Sequence, residues 1–194
     1  MKHILIIFTG EFITKLNPLD GIFQMDQALA LKNNKFKVGI IAPGLLSLRR
    51  LFRKNNYKKY EKIKGIPVFR KFKQNLFFMR FGLYNLLLEK NYKKLGLDLF
   101  EEYIKKHGKP NLIHTNDVKF GIFVADIIKK KYKIPFVVTQ HSSDIIRNQF
   151  PKVLKKKAIS ILRNLKNITT CSQTLSIIFK KFFNLKKSKI STIN

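Results

Sequence analysis

Hydrophobic positions along the chain fall into short continuous runs, separated by longer stretches in which they recur at helical spacing. The short runs are rich in Ile, Val and Phe, which is typical of strands buried on both faces of a parallel sheet. Strands are predicted at 4–8, 36–42, 66–69, 111–115, 134–139, 168–171 and 190–193. Helices are predicted at 22–33, 74–106, 119–132, 151–165 and 173–183. This alternation predicts an α/β domain with a doubly wound, mostly parallel sheet.

Two local features qualify this pattern. Pro43 and Gly44 are expected to end the second strand, and an interruption of the long helix near Gly96 is left open. Residues 45–64 are predicted to be a basic amphipathic segment between the second and third strands. Five basic and apolar residues of this segment can dock on an anionic membrane surface: Arg49, Arg50, Leu51, Phe52 and Arg53. An ordinary solvated helix explains the same five residues equally well.

Composition limits the class of protein. The chain has 194 residues and is 45% apolar with 18 Phe, so it is large enough to bury the core of one domain. Its 40 Lys and Arg against 11 Asp and Glu give a formal charge of +29, which attracts polyanions in general. No motif of a nucleic-acid-binding fold accompanies the charge, so nucleic acid is not the expected partner.

The single cysteine and the lengths of the apolar runs indicate where in the cell the protein is expected. Cys171 is the only cysteine, which excludes an internal disulfide and a multi-cysteine metal site and fits a reducing compartment. We expect it to be a small buried residue rather than a nucleophile. The first apolar run is too short for a signal-peptide core, and no run reaches the length of a spanning helix. A cytoplasmic protein is expected, and peripheral binding to the inner face of the cytoplasmic membrane stays open.

Candidate site residues lie in the loops that follow the predicted strands, because ligands of open α/β sheets bind beyond the carboxyl ends of the strands. His141 and Ser142 follow the fifth strand among other polar residues, and Asn116 follows the fourth. Gly21 precedes the first helix, where backbone N–H groups can approach a ligand, and a turn residue is an equally simple role for it. Ser172 follows the sixth strand, where capping of the next helix is an equally simple role. His114 lies within a strand and is interpreted as structural.

The order of these landmarks resembles the N-terminal domain of GT-B glycosyltransferases of family four, which build bacterial surface polysaccharides. The matching motifs, in chain order, are Asn17-Pro18, Gly21-Ile22-Phe23, the strand ending in Pro43, Pro110-Asn111-Leu112-Ile113-His114, Thr139-Gln140-His141 and Thr170-Cys171-Ser172. One departure is Asn116, which stands where the family often has a second histidine.

The resemblance implies a Rossmann-like domain over residues 1–194 that is a single half of a GT-B architecture. It implies a retaining enzyme that moves a sugar from a nucleotide-activated donor to a polysaccharide or lipid-linked acceptor, with no metal ion or other cofactor. His141 is then the catalytic candidate, placed near the reacting carbon of the transferred sugar. Gly21, Asn116, Ser142 and Ser172 are the substrate-binding candidates.

The donor-binding domain of this family follows the segment that resembles this chain. We therefore expect residues 1–194 to lack that domain, and a separate gene to encode it if it exists. We also expect the chain alone to be inactive. One alternative stays open, namely a noncatalytic basic subunit or a module that binds polyanions or a membrane surface.

Overall fold

Eight strands form one sheet among the residues that the structure, a computed structural model, describes: 1–10, 12–14, 18–46, 57–75, 82–141, 144–185 and 189–193. The strands are β1 (His3–Ile7), β2 (Lys37–Leu46), β3 (Tyr60–Ile63), β4 (Ile66–Gln74), β5 (Leu112–Thr115), β6 (Phe136–Gln140), β7 (Asn167–Thr170) and β8 (Lys189–Thr192). Their order across the sheet is β3-β4-β2-β1-β5-β6-β7-β8. Every neighbouring pair is parallel except β3 with β4. The predicted mostly parallel sheet is confirmed.

Helices cover both faces of this sheet. They are α1 (Ile22–Asn33), α2 (Gly82–His107), α3 (Gly121–Tyr132), α4 (Lys152–Arg163) and α5 (Gln173–Phe182). Alternate residues of β1 enter different hydrophobic clusters, because successive side chains of a strand point to opposite faces. Ile6 packs in the cluster that contains Met25 of α1, whereas Leu5 and Ile7 belong to the cluster formed with α2 to α5.

The chain changes direction across the sheet between β1 and β5. From β1 it continues outward to β2, whereas from β5 it continues through β6 and β7 on the other side. The loops after β1 and β5 therefore diverge, and they leave a crevice at the carboxyl edge of the sheet. This topological switch point is where open α/β sheets bind ligands.

The edge at β3 and β4 differs from the sequence prediction. β2 does not end at Pro43 but runs to Leu46, because beyond Ile41 it pairs only with β4, where a missing N–H is tolerated. β3 was not predicted, since Tyr60–Ile63 is an edge strand with a largely polar face. It turns into β4 through Lys64 and Gly65, both with positive φ as a tight hairpin turn requires.

The long helix is shorter at its start than predicted and is not interrupted. Gln74 belongs to β4, and α2 begins at Gly82. The helix continues through Gly96, where a Cβ would lie 2.2 Å from a methyl carbon of Val124 in α3. Gly96 therefore serves the close approach of two helices and does not break one.

Candidate functional site

A cavity of about 460 Å³ occupies the switch point. Its walls come from the ends of β1, β5 and β6, the start of α1 and the middle of α2. The lining residues are Ile7, Phe8, Thr9, Phe23, Gln24, Tyr92, Asn116, Asp117, Lys119, Phe120, His141 and Asp144. Segments distant in sequence thus form one concave surface with polar and aromatic parts, as small-molecule sites do.

Asp117 holds the loop between β5 and α3 in place. One carboxylate oxygen, Oδ1, accepts the N–H of Lys119 at 2.6 Å, and Oδ2 accepts those of Phe120 at 2.8 Å and Gly121 at 3.0 Å. Oδ2 also accepts the hydroxyl of Thr9 at 2.7 Å, which ties this loop to the end of β1. A carboxylate at the start of a helix is stabilised by the free N–H groups and the helix dipole. Asp117 is therefore an anchor of the cavity wall.

Asn116 lines the cavity and has one side-chain polar atom without a hydrogen-bond partner among the described residues. Its side chain is 6% exposed, and its Nδ2 donates to Oε1 of Gln27 in α1 at 3.1 Å. Its Oδ1 is buried and has no hydrogen-bond partner among the described residues. Because an unpaired buried carbonyl costs about 1–3 kcal/mol, a bound group that donates to it gains that amount.

His141 follows β6 directly and lies on the cavity. Its side chain is exposed, yet surrounding protein atoms partly desolvate the ring and lower its pKa below 6.5. The imidazole is therefore neutral at pH 7 and offers one donor and one acceptor. This is the placement that the sequence predicted for it.

His114 has a different role from His141. It is buried within β5, where its Nε2 contacts the hydroxyl of Thr139 at 2.7 Å. Burial, and to a lesser degree the charge that His141 gains at acid pH, lowers the pKa of His114 to about 4. His114 is a neutral core residue, as interpreted from the sequence.

Gly21 and Ser172 both lie directly before a helix, Gly21 before α1 and Ser172 before α5. Gly21 precedes α1 in the left-handed conformation (φ 84°) and does not line the cavity, but the helix it starts carries Phe23 and Gln24, which do. Ser172 accepts the N–H of Leu175 at 3.2 Å and caps α5. It too lies outside the cavity lining, although it follows β7 at the same edge of the sheet. Cys171 is exposed, so the prediction that it is buried was wrong, because β7 ends one residue earlier.

Several predicted residues lie outside the described part of the chain: Ser142 and the basic group Arg49, Arg50, Leu51, Phe52 and Arg53. Other site residues were missed by sequence reasoning, in particular Thr9, Gln24 and Tyr92. Thr9 follows β1 and carried the same strand-end signal as Asn116. Gln24 and Tyr92 lie inside helices, where no local pattern marks a ligand contact. Over the described ranges, no cluster of His, Cys, Asp and Glu could hold a metal ion.

Sequence comparison identifies the family. The model of Glycosyltransferase Family 4 matches residues 25–194, which is most of the chain. This chain belongs to glycosyltransferase family 4. TuaC of Bacillus subtilis (strain 168), whose name assigns it to teichuronic acid biosynthesis as a glycosyltransferase, is 24% identical over 154 residues. That alignment covers 76% of this chain and 38% of TuaC.

Solved structures show the same fold in the GT-B class. HepE of Anabaena, in complex with UDP and glucose, matches all of this chain and 44% of its own with a TM-score of 0.53 at 16% identity. The catalytic domain of starch synthase IV of Arabidopsis thaliana, bound to ADP and acarbose, matches 99% of this chain and 51% of its own with a TM-score of 0.56 at 13% identity. The family 4 chain thus spans about half, or less, of the proteins it matches.

None of the described helices is long and apolar enough to cross a membrane.

Proposed function

We propose that this family 4 chain is the acceptor-side half of a retaining glycosyltransferase. The observation that carries the proposal is the switch-point cavity, in which His141 and the unpaired carbonyl of Asn116 lie together. A polysaccharide or lipid-linked acceptor enters this cavity, and a nucleotide-activated sugar reacts at its mouth. The polysaccharide assignment is supported by the name of TuaC.

The donor is held by a second Rossmann-like domain, which residues 1–194 do not include. HepE and starch synthase IV are about twice as long as the part that matches, and they were solved with UDP and with ADP. This supports a nucleotide-sugar donor and a two-domain active enzyme. No metal ion takes part in the proposed reaction, and cationic side chains of the second domain stabilise the departing diphosphate.

His141 contributes a hydrogen bond near the reacting carbon. Because its ring is neutral at pH 7, its N–H can donate to an oxygen of the transferred sugar without adding a fixed charge. Such a contact accelerates transfer when it is stronger in the transition state than in the bound substrates. Gly21, Ser142 and Ser172 stay proposed substrate-binding residues from their sequence motifs alone, since Gly21 and Ser172 lie outside the cavity lining and Ser142 lies outside the described residues.

The test is a transfer assay with radiolabelled nucleotide sugars and glycan or lipid-linked acceptors. We expect no transfer by residues 1–194 alone, and transfer when a donor-binding half is supplied, either joined to the chain or as a separate polypeptide. Robust transfer by the chain alone would contradict the proposed division of labour. Failure of the purified chain to bind any saccharide would contradict its role as the acceptor side.

His141→Ala in the completed enzyme tests the catalytic role. The rate constant should fall by about 100-fold, as for the loss of one transition-state contact, while donor affinity changes by less. Asn167→Ala, at the amino edge of the sheet, is the matched control. An unchanged rate in His141→Ala would show that the histidine only supports packing.

Peripheral binding to the inner face of the cytoplasmic membrane also belongs to the proposal. Lipid-linked acceptors reside there, and the charge of +29 favours an anionic surface. The basic group Arg49–Arg53 is the proposed contact. A noncatalytic subunit that binds polyanions is the competing function, and transfer by the completed enzyme distinguishes the two.

A further inference from the structure

The cavity has a charge opposite to that of the whole protein. Its charged lining residues are the carboxylates of Asp117 and Asp144 and the ammonium of Lys119, which leaves one net negative charge among the described lining residues. The chain as a whole carries +29. A cavity that had to hold a phosphate or carboxylate would be expected to concentrate this abundant positive charge, and the described lining does the reverse.

The cation of the cavity is already paired. Lys119 Nζ donates to Oδ2 of Asp144 at 3.2 Å, so the ammonium bridges the loops after β5 and β6. The imidazole of His141, with its lowered pKa, adds no charge at pH 7. An anionic ligand that bound this ammonium would also face the carboxylate of Asp144, and the like charge opposes its binding.

Two hydrogen-bonding atoms of the lining residues, on Asn116 and Thr9, can only accept, so they favour a ligand that donates hydrogen bonds. Asn116 Oδ1 is a buried acceptor without a partner. The Thr9 hydroxyl donates its only proton in the hydrogen bond to Asp117, so its oxygen can only accept a hydrogen bond from a ligand. A sugar hydroxyl can donate to both atoms, whereas an ionised phosphate or carboxylate can donate to neither.

Aromatic side chains complete the lining. Tyr92 and Phe120 stack with their ring centroids 4.6 Å apart, and Phe23 at the start of α1 is 74% exposed beside the cavity. An exposed apolar ring next to convergent polar groups is typical of a binding site. Flat apolar surfaces of this kind suit the C–H faces of a pyranose ring.

We infer that this cavity selects an uncharged sugar unit of the acceptor, bound through donated hydroxyl hydrogen bonds to Asn116 and Thr9, and discriminates against phosphorylated or uronic acid units. The inference rests on the proposed function, since it specifies the substrate of the same site.

The experiment compares saccharides of different charge on the full chain. Saturation-transfer NMR at about 150 mM salt measures binding of methyl glucoside, glucose 6-phosphate and glucuronate, with salt present to suppress attraction to the basic surface. Only binding that is lost in Asn116→Leu counts as binding in the cavity. Asn167→Leu, the same exchange at the opposite edge of the sheet, is the matched control.

We expect methyl glucoside to bind in the cavity and to weaken about tenfold in Asn116→Leu, the usual effect of losing one buried hydrogen bond. Asp144→Asn releases Lys119 and removes a negative charge, so it should strengthen binding of glucose 6-phosphate more than binding of methyl glucoside.

Tighter binding of glucose 6-phosphate or glucuronate than of methyl glucoside in the cavity would overturn the inference and leave the acceptor-side function intact. Binding of neither class would also overturn it. The transfer assay with the completed enzyme tests the proposed function separately, because transfer to any acceptor supports that function whatever the charge of the sugar.

Discussion

At the scale of single residues, Gly21 shows how a local backbone conformation supports the site. Its φ of 84° lies in the left-handed region, and a Cβ at this position would lie 2.4 Å from the ring of Phe12. Both restrictions act at the residue directly before α1, and this helix carries Phe23 and Gln24 to the cavity. Gly21 is therefore needed for the wall of the cavity, whether or not it touches a ligand.

We predict that Gly21→Ala lowers the free energy of unfolding by about 2–4 kcal/mol, from left-handed strain and the clash with Phe12. Gly108→Ala is the matched control, because Gly108 has φ 82° but no atom within 4 Å of the added Cβ. It should cost only about 1 kcal/mol. Urea unfolding measures both, and equal losses would show that the contact with Phe12 is unimportant.

His114 makes stability depend on pH. Its pKa is about 4 in the folded chain and near 6.5 when unfolded, so the unfolded chain binds more protons between these values. Stability is therefore complete above pH 6.5 and is lost as the pH falls toward 4, by up to about 3 kcal/mol. His114→Gln should flatten this part of the stability profile, measured by urea unfolding at several pH values. A profile as steep as that of the unmodified chain would refute the assignment.

At the scale of elements, β4 fastens the loop that precedes α1. Arg70 is 1% exposed, and its guanidinium donates to the carbonyls of Phe12 at 2.8 Å and Ile13 at 2.9 Å and to Glu61 of β3 at 2.5 Å. Phe12 and Ile13 both have positive φ. One planar side chain thus joins β4, the edge strand and a strained loop.

We predict that Arg70→Lys destabilises the chain by about 2–4 kcal/mol, since an ammonium cannot reproduce the forked set of hydrogen bonds in a buried place. Lys71→Ala, at the next residue of β4, is the control. Lys71 is partly exposed and pairs with Asp98, so its loss should cost less than about 1 kcal/mol. Urea unfolding of both variants checks the difference, and a loss in Arg70→Lys no larger than in the control would contradict it.

Some helices and strands were predicted correctly from the sequence, and others were missed. The bounds of α1 agree with the prediction, because Gly21 before the helix and Asn34 after it are local signals for helix ends. β3 and the extension of β2 past Pro43 were missed, because each depends on pairing with β4 and not on its own residues. Gly96 was taken for a possible break because its effect is set by Val124, which is distant in sequence.

At the scale of the whole molecule, the strong positive charge and the acidic cavity favour different kinds of ligand. The surface can attract a membrane or another polyanion at long range, and the attraction weakens with salt. The cavity acts only at short range, through hydrogen bonds. Under the two proposals, the same chain concentrates at an anionic surface and still selects an uncharged sugar.

We predict that vesicles containing phosphatidylglycerol retain the chain at low salt and release it at about 0.5 M NaCl, while phosphatidylcholine vesicles do not retain it. Replacing Arg49, Arg50 and Arg53 by Ser should weaken retention more than replacing the exposed Lys152, Lys156 and Lys166, which removes the same charge. Equal effects would show that retention reflects total charge only. Release that ignores salt would contradict an electrostatic contact.

The sequence by itself determined the strand and helix alternation, the parallel sheet and the family, because these follow from local periodicity and short motifs in order. It also placed His141 and Asn116 at strand ends, where the topology of such sheets puts ligands. Only the tertiary structure decided that Thr9 and Tyr92 join them in one cavity, that the carbonyl of Asn116 has no partner, and that Lys119 is paired with Asp144. These facts depend on contacts between residues far apart in the chain, which no local pattern of side chains encodes.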